Sequence, residues 1–102
     1  MPRVSLLSRV KVKNGRGGEF VDTFQPVFEQ AEKEPGTLVY LLNRSREDPD
    51  LFWVSEVYAD ETAFATHQGS AAMAAAAGAF RELIAEAEFL RGEPLASKGL
   101  SG

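Results

Sequence analysis

The chain has 102 residues, no cysteine and a formal net charge of −4. This length predicts one domain over residues 1–102, with a core over about 3–95 and a loose tail over 96–102. The acidic balance excludes the basic footprint of a nucleic-acid binder, and the lack of cysteine excludes disulfides and thiolate chemistry. Basic residues interrupt the apolar segment that begins the sequence. We therefore expect neither a signal peptide nor a membrane span, and we expect a cytoplasmic protein.

The first half of the chain predicts a strand, a helix and a second strand. Residues 4–12 alternate between apolar and polar positions, which is typical of a strand with one buried face. From Glu19 to Ala31 the apolar residues follow helical spacing, and Pro26 should kink this helix or split it. The segment Glu-Pro-Gly at 34–36 ends the helix, and β-forming residues follow at once.

The second half predicts a hairpin, two helices and a last strand. Residues 51–58 form a strand close to the preceding one, so an antiparallel hairpin is expected. Asp60 and Ser70 are suitable N-caps for two helices, the second with apolar spacing as far as Ala87. Residues 88–95 predict a weak final strand. The order β-α-β-β-α-α-β indicates an α+β fold with its helices on one face of an antiparallel sheet.

The opposite sheet face also carries large apolar side chains. Leu51, Trp53 and Val57 share it, and no helix of the same chain can cover it. We therefore expect a second copy of the chain to cover this face in a homodimer.

Several kinds of site are excluded by their residue requirements. The glycine-rich segment 14–18 lacks the third glycine of a dinucleotide-binding fingerprint and is interpreted as a flexible connector. One histidine without cysteine cannot form a zinc site or a site with two histidines and a carboxylate. No serine lies in the strand-turn-helix context of a hydrolase nucleophile. We expect no metal and no cofactor.

One strand face carries the best candidate site. Val54, Glu56 and Tyr58 share this face, and Phe64 and His67 should approach it from the next helix. A buried acid needs a partner, and His67 is the expected partner of Glu56. A carboxylate bound to one imidazole nitrogen raises the basicity of the other, which suits a general base. A purely structural pair, or a histidine that caps a helix end, remains open.

The segment Ser-Glu-Val-Tyr-Ala-Asp-Glu-Thr-Ala-Phe-Ala-Thr-His-Gln-Gly-Ser resembles the antibiotic biosynthesis monooxygenase (ABM) superfamily. The family pattern is Glu-x-aromatic-x-Asp-x-x-Ala, then a histidine, then a helix led by serine. The matching residues are Glu56, Tyr58, Asp60, Ala63, His67 and Ser70. The resemblance implies ferredoxin-like subunits that pair through their sheets into a dimeric α+β barrel, with a pocket between sheet and helices in each subunit.

The resemblance also implies a reaction and roles for the site residues. The reaction is oxygenation of a small phenolic, quinol or polyketide-type aromatic by O₂ without metal or flavin. His67 would be the base, Glu56 would orient it, and Tyr58 would donate a hydrogen bond to the substrate oxygen. Phe64 and Trp53 would line the site or the barrel, and Val54 would also be a substrate-binding residue.

Departures from the family pattern keep other functions open. Ala72 stands where many quinol-oxidising relatives carry a second histidine, and residues 71–86 lack the iron-binding histidine of the haem-degrading relatives. Haem is therefore not expected. An isomerase of a small signalling metabolite would need a pocket with more acids and polar groups. A non-catalytic ligand-binding dimer is the remaining alternative.

Overall fold

The computed structural model describes residues 2–100 and contains four strands and three helices. The elements are β1 (Val4–Val12), α1 (Gly17–Glu32), β2 (Thr37–Arg44), β3 (Leu51–Tyr58), α2 (Glu61–Gln68), α3 (Ala71–Leu83) and β4 (Ile84–Gly92). The strands form one sheet in the order β2-β3-β1-β4, and every neighbouring pair is antiparallel. The predicted α+β class and element order are confirmed.

The helices cover one face of the sheet, and the core lies between them. Alternate β3 residues from Phe52 to Tyr58 point into this layer, as their buried positions show. Phe20, Phe24 and Val27 of α1 pack against this face, as the helical spacing predicts. Leu41 of β2 and Leu90 of β4 are exposed, and strand alternation places them on the opposite face.

Helix α1 begins two residues earlier than the sequence pattern predicts. Gly17 belongs to the expected connector, yet it is buried in the first turn, and a Cβ there would lie 2.7 Å from the carbonyl oxygen of Pro49. Glycine is therefore required by close packing at this position. Pro26 does not split α1, which runs continuously through it. The proline is solvent-exposed, so water can reach the carbonyl that loses its hydrogen bond.

The boundary between α3 and β4 was predicted wrongly. The helix ends at Leu83 instead of near Ala87, and β4 starts at Ile84 instead of residue 88. The Lys13 amide donates to the Leu83 carbonyl, and the next residues pair along β1. Pairing with the open edge of β1 therefore outweighs the helix propensity of this alanine- and glutamate-rich segment. Residues 93–100 form no helix or strand, and residues 101 and 102 of the predicted tail lie outside the described part.

Among the described residues, no helix combines the length and the apolar character that crossing a membrane requires.

Candidate functional site

A cavity of about 470 Å³ lies between the sheet and the helices. Its wall is largely apolar and aromatic. The apolar lining residues are Leu6, Val10, Phe20, Phe24, Tyr40, Val54, Phe64, Met73, Ala77, Phe80, Ile84 and Phe89, and the polar ones are Ser8, Glu56, Gln68, Arg81 and Arg91. The volume lies within the range of small-molecule sites, and such a wall suits a flat aromatic ligand.

One row of side chains across the sheet carries the ionisable groups of the cavity floor. In the strand register, Tyr40 of β2 lies opposite Glu56 of β3, Glu56 lies opposite Leu6 of β1, and Leu6 lies opposite Arg91 of β4. All four side chains line the cavity. The register therefore places an acid near the centre of the floor and a guanidinium at one edge.

Glu56 is the acid that lines the cavity, and it is only 5% exposed. It accepts a hydrogen bond from the Tyr58 hydroxyl. Burial raises the pKa of Glu56 above its ordinary value, while the hydrogen bond from Tyr58, the charge of His67 and the nearby Ser8 hydroxyl act in the opposite direction. A carboxylate that is costly to keep ionised in an apolar wall is a good proton acceptor.

Tyr58 does not line the cavity. It is fully buried, and its ring makes an edge contact with Phe64 at 5.3 Å between centroids. Burial, followed by the interaction with Glu56, raises the pKa of Tyr58. Its hydroxyl proton is donated to Glu56. In this structure the Tyr58 hydroxyl therefore positions Glu56, and its hydrogen bond to a substrate oxygen stays a prediction.

His67 lies behind the cavity wall. It belongs to α2, which begins at the predicted N-cap, where the Asp60 side chain accepts from the Ala63 amide at 2.8 Å. The imidazole is fully buried and does not line the cavity. Its ring lies 4.8 Å from the Tyr40 ring and 5.6 Å from the Tyr58 ring, between centroids.

The predicted pair of His67 and Glu56 is wrong. His67 Nδ1 lies 2.7 Å from Glu34 Oε1, while Nε2 has no hydrogen-bond partner within residues 2–100. The reason is the close packing of α2 on the loop after α1, where a Cβ on Gly36 would lie 2.5 Å from the Ala63 Cβ. His67 follows Ala63 by one helical turn. The same face of α2 therefore brings the imidazole to Glu34.

Glu34 is the residue that the sequence interpretation missed. Its carboxylate also accepts from Gln30 at 2.9 Å and from Thr37 at 2.8 Å. Burial acts to raise the pKa of Glu34, but the hydrogen bonds from Gln30, His67 and Thr37 outweigh it, so the pKa is lowered. The only signal in the sequence is an acid beside a glycine in the Glu-Pro-Gly segment, because glycine permits another element to approach closely.

The remaining predicted residues lie on opposite sides of the sheet. Val54 and Phe64 line the cavity, whereas Trp53 does not. Trp53 neighbours Val54 on the same strand, so alternation turns its side chain to the outer face. The outer sheet face is one of the two places predicted for Trp53, and a role of Trp53 in substrate binding stays a prediction. Within residues 2–100, no three acidic or histidine side chains converge as a metal site.

Comparison with known proteins finds similarity to this chain in both sequence and fold. The family model described as antibiotic biosynthesis monooxygenase matches residues 3–89. A Caulobacter crescentus protein that is provisionally named an antibiotic biosynthesis monooxygenase is 26% identical to this chain. Its structure matches with a TM-score of 0.86, over 93% of this chain and 92% of the relative. A Bacteroides thetaiotaomicron protein with the same provisional name is 24% identical to this chain. Its structure matches with a TM-score of 0.87, over 99% of this chain and 96% of the relative. No match was found among curated proteins.

Proposed function

Because the chain belongs to the antibiotic biosynthesis monooxygenase family, we propose that it is a cofactor-independent monooxygenase. Its substrate would be a small phenolic, quinol or polyketide-type aromatic, and its oxidant would be O₂. The observation that carries this proposal is a largely apolar cavity of about 470 Å³ with one buried acid, Glu56, in its wall. An isomerase of a sugar-like metabolite would need more polar groups than this wall offers.

The first step requires a group that takes a proton from the bound aromatic. Glu56 is the acid that lines the cavity, and burial disfavours its charged form. Burial raises the pKa of Glu56, which brings its proton affinity closer to that of a phenolate and so favours transfer of the phenol proton to this carboxylate. The substrate is left as an electron-rich anion that the cavity shields from water.

The following steps consume one O₂ for each phenol. The anion passes one electron to O₂, and the resulting superoxide and substrate radical join at an open ring carbon para to the hydroxyl. The hydrogen at that carbon leaves as a proton, and the O–O bond breaks. One oxygen atom remains as a carbonyl, and the other leaves as water. The phenol gives up four electrons in all, and the products are one quinone and one water.

The predicted catalytic residues take different roles in this proposal. Glu56 is the catalytic residue, since it faces the substrate space. Tyr58 is a positioning residue that holds Glu56 through its hydroxyl. His67 and Glu34 act from behind the wall, where their pair supports Tyr40 and Tyr58. This arrangement favours Glu56 over His67 as the group that accepts the substrate proton.

We also propose that the chain forms a homodimer in the cytoplasm. A second copy would cover the outer sheet face, which carries Trp53 and the exposed Leu41 and Leu90. The proposed unit is a homodimer of single-domain chains that works in the cytoplasm on a small aromatic and O₂, without nucleic acid or membrane.

Oxygen uptake with 1-naphthol tests the proposal. This phenol has an open para position, and the expected product is 1,4-naphthoquinone. Glu56→Gln keeps the shape of the side chain but cannot accept the proton, so turnover should fall by roughly a hundredfold or more. Gln25→Glu, on the exposed face of α1, is a control that should leave the rate unchanged. A Glu56→Gln variant with the unmodified rate would overturn the assignment of the base.

A further inference from the structure

Two arginines interrupt the apolar wall of the cavity at its rim. Arg91 of β4 and Arg81 of α3 both line the cavity, and both are exposed to solvent. Arg81 makes no hydrogen bond and no ion pair with any residue between 2 and 100. A free guanidinium beside an aromatic-lined cavity is a ready partner for a negatively charged group.

The position of Arg91 relative to Glu56 is set by the sheet. Both residues lie opposite Leu6, one on each neighbouring strand. Two strand spacings therefore separate their backbones, or about 10 Å. A ligand on this floor meets a proton-accepting carboxylate at one end and a cation at the other. A fused aromatic ring system spans such a distance.

In the structure, Arg91 is occupied by a partner that a ligand can replace. Its guanidinium lies 2.9 and 3.0 Å from the two carboxylate oxygens of Glu61 and 4.5 Å above the Phe64 ring centroid. The side chains in this ion pair are 52% and 69% exposed. Exposed ion pairs contribute little to stability, so exchange of the Glu61 carboxylate for a ligand carboxylate costs little.

We propose that Arg91 and Arg81 bind an anionic group of the substrate, which makes the substrate an aromatic acid with its hydroxyl toward Glu56. The inference rests on the proposed function for the identity of the ring and its hydroxyl. A carboxylate can accept two parallel hydrogen bonds from one guanidinium, and the ring then lies in the aromatic cavity. Arg91, Arg81 and Glu61 are thus specificity determinants, while Glu56 carries out the chemistry.

The test compares two probes that differ by one carboxylate. Binding of 1-naphthol and of 5-hydroxy-2-naphthoate is titrated by naphthol fluorescence in anaerobic buffer, where no turnover occurs. The carboxylate should bind at least roughly tenfold more tightly, as expected for a charge-assisted contact. Added salt should weaken binding of the carboxylate probe only. Equal binding of the two probes, or binding of neither, would overturn the inference.

Three rim variants and one control variant separate recognition of the anion from a structural role of the rim. Arg91→Gln and Arg81→Gln should each weaken binding of the carboxylate probe roughly tenfold more than binding of 1-naphthol. Arg46→Gln, in the exposed loop before β3, should change neither. Glu61→Gln should strengthen carboxylate binding, because it removes the competing anion from Arg91. If the Arg91–Glu61 pair only closes the fold, Glu61→Gln and Arg91→Gln will instead weaken both probes together, and the inference fails.

Failure of the inference and failure of the proposed function give different results. If 1-naphthol consumes oxygen but the carboxylate gains no affinity, the monooxygenase proposal stands and the anion site is wrong. If the carboxylate binds preferentially but neither probe consumes oxygen, the anion site stands and the proposed reaction is wrong.

Discussion

Replacement of His67 by alanine should destabilise the fold strongly. The imidazole is fully buried, contacts two tyrosine rings and hydrogen-bonds Glu34 at 2.7 Å. Truncation leaves a cavity and a buried carboxylate that has lost its partner. Breaking a buried pair from one side costs about 3–5 kcal/mol, a large part of the total stability of a small domain. For a chain of this length, 3 kcal/mol corresponds to a fall in Tm of about 12 °C or more.

Urea unfolding followed by the fluorescence of Trp53 measures this loss, at a fixed protein concentration because a dimer is proposed. Thr66→Ala, an exposed change in the same helix, should cost less than about 0.5 kcal/mol. Glu34→Gln should lower the free energy of unfolding of the unmodified protein. The same substitution should lower it less in the His67→Ala variant, because the two residues share one interaction. A His67→Ala variant that loses under about 1 kcal/mol while turnover falls a hundredfold would refute this reasoning.

Four further predictions concern assembly, the pH dependence of turnover and of stability, and cofactors. Trp53→Glu should convert the dimer into a monomer, because it places a charge in the proposed sheet-to-sheet interface. Sedimentation velocity at micromolar protein concentration measures this. An unmodified protein that is monomeric at that concentration would contradict the dimer. Turnover should rise with pH, because Glu56 can accept a proton only when its carboxyl group is ionised. The pKa of Glu56 is raised, so the midpoint of this rise should lie above 4.5, the ordinary pKa of a glutamate. The pH profile of kcat/KM checks this. The pKa of Glu34 is lowered, so its contribution to the free energy of unfolding should be complete above pH 4.5 and be lost as the pH falls through the lowered pKa. Urea titrations at several pH values measure this dependence, and Glu34→Gln should remove it. Chelators, iron, flavin and nicotinamide should leave oxygen uptake unchanged, and loss of turnover with a chelator would contradict the cofactor-free reaction.

The fold was largely predictable because its signals are local. Strand alternation, helical spacing and the caps at Asp60 and Ser70 each act within a few residues. The errors arose where contacts distant in sequence decide. β4 begins at Ile84 because β1 offers an edge to pair with, and Gly17 is fixed by the approach of the Pro49 carbonyl.

The site was only partly predictable for the same reason. Alternation placed Val54 and Glu56 on the cavity side correctly. The partner of His67 could not be chosen from periodicity, because Glu34 lies in a loop 33 positions away in sequence. Arg91 was missed because its strand was predicted without its register, and the register is what brings it into the row with Leu6 and Glu56.

Oxidation of 1-naphthol under oxygen-18 gas shows whether this chain is a cofactor-independent monooxygenase with Glu56 as its base. We expect one labelled oxygen atom in each quinone, one O₂ consumed for each phenol, and water as the only reduced product. Glu56→Gln should bind 1-naphthol normally and turn it over roughly a hundredfold more slowly. A quinone without label, hydrogen peroxide in place of water, or no oxygen uptake at all would contradict the proposed reaction.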